Sequence, residues 1–91
     1  MKDYTYTIEV KGKTKKKTVL TFFYKGEKFG TRTSTKPPEA FEAYAVVEEP
    51  GQAPGILAVG KIKTCEQNTR EMNNFYSRTG RQEKAFTILL K

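Results

Sequence analysis

At 91 residues the chain has room for one domain with one small core, and its composition, 36% hydrophobic and 30% charged, is that of a folded protein rather than a disordered tail. It holds no histidine, one cysteine (Cys65) and one aspartate (Asp3), which excludes a Cys/His zinc site, an internal disulfide and a Ser or Cys nucleophile served by an imidazole base. The net charge of +7 argues against an acidic mimic of DNA.

The charge is unevenly spread. Residues 1–36 hold ten basic and three acidic side chains, and residues 37–50 hold four glutamates (Glu39, Glu42, Glu48, Glu49) and no basic group. Residues 51–91 return to seven basic against three acidic. A basic N-terminal region and a basic C-terminal region thus flank an acidic insert, the pattern of an electrostatically divided surface. No stretch approaches the roughly 20 apolar residues that span a bilayer, and the first residues lack the apolar segment of a secretory signal. A cytoplasmic location with no membrane partner is expected.

In chain order, residues 4–10 alternate Tyr4, Tyr6, Ile8 and Val10 with Thr5, Thr7 and Glu9, the period of two that predicts a half-buried strand. Residues 18–24 are rich in β-branched and aromatic side chains and predict a second strand. The segment between them, Lys11-Gly12-Lys13-Thr14-Lys15-Lys16-Lys17, packs five lysines into seven residues and reads as the hairpin connection. Lys25-Gly26-Glu27-Lys28 supplies a turn into a third strand over residues 29–34, which Pro37-Pro38 ends. Residues 41–47 and 56–63 predict two more strands, joined by the turn-rich residues 48–55.

A helix is expected from Thr64, as N-cap of a capping box with Gln67, with Glu66 near the positive end of its dipole. Cys65, Thr69, Met72, Phe75 and Tyr76 form its apolar stripe, and Gly80 stops it with Arg78 in the last turn. Residues 85–90 predict a sixth strand, the alternative being a short terminal helix. The fold class is α+β: an antiparallel sheet of five or six strands packed by one helix near the C-terminus.

Two motifs resemble catalytic signatures and fail on chemistry. Gly55-Ile56-Leu57-Ala58-Val59-Gly60-Lys61 has the glycine and lysine spacing of a phosphate-binding loop, but Ile62 stands where magnesium requires Ser or Thr, and Pro54 precedes the first glycine. Glu9-Val10-Lys11 resembles the carboxylate and lysine of metal-dependent nucleases, without a second carboxylate at a suitable place. No cofactor and no enzymatic activity are expected.

The remaining candidates are binding surfaces. Lys11, Lys13, Lys15, Lys16 and Lys17 suit phosphates or an acidic protein surface, although a lysine-rich turn also serves as a solvated hairpin tip that discourages edge pairing. Nearby Tyr4, Tyr6, Phe22, Phe23 and Tyr24 offer base-stacking surfaces or, for most of them, the core. Arg70, Asn74 and Arg78 recur every four residues opposite the apolar stripe, with Asn73 and Arg81 close by, and make a second candidate patch.

Gly30-Thr31-Arg32-Thr33-Ser34 followed by Tyr44-Ala45-Val46-Val47 resembles small accessory proteins encoded by bacteriophages, and the spacing of Phe75, Arg78 and Gly80-Arg81 resembles them too. The resemblance implies a phage or mobile-element gene whose product binds and blocks host machinery, including defence complexes of the CRISPR type, without enzymatic activity. It brings no functional residue with it. The expected partner is a host protein or nucleoprotein complex, with direct binding of DNA or RNA through the basic hairpin as the alternative.

Overall fold

The computed structural model describes residues 3–90, and the chain divides into two compact units, Met1–Ala40 and Phe41–Lys91. The described residues form an α+β structure of six strands in two antiparallel three-stranded sheets, with one long helix near the C-terminus.

In the first unit β1 (Tyr4–Lys11), β2 (Lys17–Tyr24) and β3 (Glu27–Ser34) follow one another as a meander in the order β1-β2-β3. Lys25 and Gly26, at φ 53° and 84°, form the two-residue turn between β2 and β3. Both residues have positive φ, as a type I′ hairpin turn requires. Phe22 pairs with Gly30 and Phe23 with Lys28, so Phe29 is the extra residue of a bulge. Its ring lies 5.8 Å from Tyr4 and 6.3 Å from Phe22, and Tyr4 in turn lies 4.8 Å from Tyr24. These aromatic pairs lie at the geometry rings prefer, and with Leu20 they make the apolar face of the sheet.

That face thins toward the lysine tip. Tyr4, Leu20 and Phe22 are buried, whereas Ile8 is 36% exposed and Val10 51% exposed. The alternation expected of β1 is therefore present, but only its Tyr4 end is covered. After β3 the chain is anchored by Thr18, buried in the sheet, whose hydroxyl donates to the Lys36 carbonyl at 2.6 Å. It then runs through Pro37 into a 3₁₀ turn, Pro38–Ala40, that lies against β1.

In the second unit β4 (Ala43–Glu48) is the central strand, with β5 (Gly55–Gly60) on one side and β6 (Lys84–Leu89) on the other. Helix α1 (Ile62–Thr79) packs on this sheet, chiefly along β6. Ala43 and Ala45 face Cys65, and these small side chains allow close approach of helix and strand. Thr69 and Thr87 hydroxyls share a 2.7 Å hydrogen bond beside them. The terminal segment is a strand, as its β-branched and aromatic content indicates.

Three local expectations are corrected. The helix starts at Ile62, not after Thr64: its N-cap is Lys61, with no capping side chain of its own, and the Ile62 N–H is accepted by Glu42 Oε1 at 3.1 Å. Gln67 turns along the helix instead and donates to Glu71 Oε2 at 3.1 Å. Residues 61–63, expected to continue β5, are accordingly cap and helix. Phe75 leaves the buried stripe and is 41% exposed, because adjacent helical positions lie 100° apart and Tyr76 takes the inward direction. The C-terminal stop is as expected: Gly80 is left-handed at φ 70°, its N–H reaches Ser77 O, and Arg81 N–H reaches Tyr76 O at 2.9 Å.

Candidate functional site

The site is built from the tip of the first hairpin. Lys11 and Lys17 are the last directly opposed pair of the β1–β2 ladder, and residues 12–16 close the loop between them. Gly12 sits at φ 107°, and a Cβ there would collide with the Lys15 carbonyl oxygen. Only glycine permits this path, so the loop is a specified turn rather than a slack tail. Lys11, Lys13, Lys15, Lys16 and Lys17 are all exposed, and none forms an ion pair among the described residues. Five ammonium groups therefore stand at one end of a sheet with their charge available to an external anion.

The division of the chain concentrates this charge. The first unit holds ten basic and four acidic residues and the second seven and six, so six of the seven net positive charges lie in the first. A cleft of about 360 Å³ opens beside the tip, with Val10, Pro37 and Pro38 as apolar wall and Lys16, Lys36 and Glu39 at its rim.

The stacking surfaces are fewer than the sequence offers. Tyr4 and Phe22 are buried, and Tyr6, Phe23 and Tyr24 are half-buried, with Tyr24 already engaged with Tyr4 and beneath the Lys25 ammonium at 5.3 Å. On α1, Arg70, Asn74 and Arg78 are exposed along one face, spanning about 12 Å of helix rise. Asn73 does not join them. Its amide donates to Ala85 O at 3.0 Å and its carbonyl accepts from Ala85 N–H at 2.8 Å, which docks the start of β6 onto the helix. Arg81 also drops out, held by Glu83 at 2.8 Å. The lysine tip and the helix face belong to different units.

The catalytic look-alikes resolve into structure. Residues 55–60 of the phosphate-loop spacing are strand β5, and Lys61 is a helix cap whose ammonium lies 3.7 Å from Glu42. Glu9 and Lys11 are exposed on β1, and no group of three or more Cys, Asp or Glu side chains is placed to hold a metal among the described residues. Cys65 is fully buried, and burial pushes its thiol above the ordinary value of 9.0, which keeps it neutral and inert. A second cleft, of about 230 Å³, is lined by Glu48, Glu49, Pro50, Gln82 and Lys84. No helix among the described residues is long and apolar enough to cross a membrane.

No protein-family model, curated protein or solved structure matches the chain.

Proposed function

We propose that the protein is a non-enzymatic binding module that docks its lysine-tipped hairpin on a polyanionic surface of a host nucleoprotein complex and so inhibits or modulates it in the cytoplasm. The observation that carries this is the tip: five exposed lysines, without an ion pair among the described residues, on and flanking a loop whose path is fixed by Gly12. A loop whose backbone path is already set loses less backbone freedom on docking than a slack tail, and its clustered charge steers encounter with an anionic partner. The resemblance to phage accessory proteins directs this reading to host machinery and specifies no contact.

The test is replacement of Lys11, Lys13, Lys15, Lys16 and Lys17 by glutamate, with capture from host cytoplasm compared before and after nuclease treatment. Loss of every captured complex with an unchanged circular dichroism spectrum supports the proposal, and undiminished capture removes the hairpin from the mechanism. Direct nucleic-acid binding is the second reading, favoured by the exposed row of Arg70, Asn74 and Arg78 on α1. It requires binding to bare oligonucleotides with a log K against log salt slope of about −0.9 for each duplex phosphate engaged. Absence of such binding at low salt eliminates it.

A further inference from the structure

The lysine tip adjoins a second feature that charge alone leaves unused. Ile8 and Val10 project from the same face of β1, and both are exposed, at 36% and 51%, although Tyr4 on that face is buried and Tyr6 half-buried. Among the described residues β1 is an edge strand that pairs with β2 only; the 3₁₀ turn Pro38–Ala40 touches it, and no other strand lies along residues 7–11. Val10 also lines the 360 Å³ cleft, together with Pro37 and Pro38. The Thr18 hydroxyl fixes the entry to the two prolines by holding the Lys36 carbonyl. The volume falls within the range of about 300–1,000 Å³ found for ligand clefts.

An edge strand with an apolar cleft beside it has the two elements of β-strand addition: a row of backbone groups for affinity and a pocket for alternate side chains of the incoming strand. The rim supplies the third, a charge preference. Lys16 and Lys36 border the cleft and Lys11, Lys13, Lys15 and Lys17 follow or precede its residues in the hairpin, against two carboxylates, Glu39 in the cleft lining and Glu9 on the opposite face of β1. We propose that this end of β1 is a docking groove for an extended acidic segment of a partner protein, which pairs along β1 and seats an aliphatic side chain between Val10 and the two prolines. The inference rests on the hairpin acting as an anion contact and assigns that contact to protein rather than nucleic acid.

The experiment measures binding of three labelled probes of equal charge to the full chain by fluorescence anisotropy: a peptide alternating glutamate and valine, an oligoglutamate, and an oligothymidylate. The alternating peptide is expected to bind about tenfold or more tightly than the other two. Val10→Asp, or methylation of alternate peptide nitrogens in the probe, should bring it down to the oligoglutamate level. Amide shifts of the unaltered protein should move at residues 7–18 and 35–39, a readout that does not depend on any variant folding. Equal binding of all three probes, tightest binding of the oligothymidylate, or shifts that spare residues 7–10 and 35–39 would overturn the inference. If the five-lysine reversal abolishes all binding while Val10→Asp spares it, the groove falls and the hairpin reading stands. If the reversal leaves the alternating peptide bound, the hairpin reading fails and the acidic preference of the groove fails with it.

Discussion

Gly12 gives the sharpest test of whether the lysine tip is a built loop. Its φ of 107° costs any L-residue conformational energy, and a Cβ there meets the Lys15 carbonyl oxygen. Gly26, in the other hairpin of the same sheet, provides the internal control: its φ is 84°, yet a Cβ there meets nothing within 4 Å. Gly26→Ala should therefore cost only the backbone penalty, about 1–2 kcal/mol. Gly12→Ala pays that and the collision, which can be relieved only by opening residues 12–16, and should cost about 1–2 kcal/mol more. For a chain of this size each kcal/mol is worth roughly 4–8 °C in Tm, so the two variants should separate clearly in thermal and urea unfolding followed by circular dichroism. Backbone relaxation should show the 12–16 loop newly mobile in Gly12→Ala and unchanged in Gly26→Ala. Polyanion binding should weaken in the first variant although no lysine has been removed. Equal stability of the two variants, with a rigid loop in both, would refute the claim that Gly12 sets the path of the tip.

Glu42→Ala should destabilise the second unit by about 1 kcal/mol, the worth of a helix cap, whereas Glu42→Gln, which keeps an oxygen for the Ile62 N–H, should recover most of it in urea titration. Asn73→Ala removes both hydrogen bonds to Ala85 and leaves that backbone pair without its partner; a loss of about 2–3 kcal/mol is expected, with faster hydrogen exchange at the Ala85 amide as the local signature. Burial raises both the Cys65 thiol, from 9.0, and the Tyr76 phenol, from 10.0. Each neutral form is favoured by folding, so this contribution is fully present below the unfolded values and is lost as pH rises through the folded ones. Stability should thus fall as pH climbs above 9 to 10, and Cys65 should resist a thiol reagent at neutral pH until denaturant is added. Rapid native-state labelling would contradict the buried position.

The elements that sequence located correctly are those whose signals are local. The alternation of Tyr4, Tyr6, Ile8 and Val10, the stop at Pro37-Pro38 and the left-handed Gly80 each act within a few residues. The lysine loop was legible for the same reason, since a hairpin tip needs only its two flanking strands. The helix start was missed because its cap is Glu42, a residue twenty positions earlier, while Thr64 and Gln67 imitate a capping box that the chain does not use. The arrangement as two sheets was not readable either: β6 joins β4 across the whole of α1, a pairing set by long-range packing. Asn73 looked like a surface polar residue by composition, and only the docking of β6 shows that its amide replaces part of a backbone ladder. The groove beside Val10 depends on where residues 35–39 cross the sheet, which no periodicity encodes.

The distribution of carboxylates explains why the tip keeps its charge. In the second unit at least three of the six acids have partners within the fold: Glu42 caps α1 and faces Lys61, Glu71 accepts from Gln67, and Glu83 holds Arg81. The first unit has ten basic groups and only four acids, and among the described residues none of those acids pairs with a lysine of the tip. Like charges held directly opposite, as Lys11 and Lys17 are, destabilise a ladder by a few tenths of a kcal/mol or more. A hairpin selected for stability alone would carry opposite charges at that pair and a shorter turn, as the Lys25-Gly26 connection at the other end of β2 shows the same sheet can do. The β1–β2 tip instead combines a repulsive closing pair with exposed apolar side chains at Ile8 and Val10, two local costs that an external anion with an apolar side chain would relieve together.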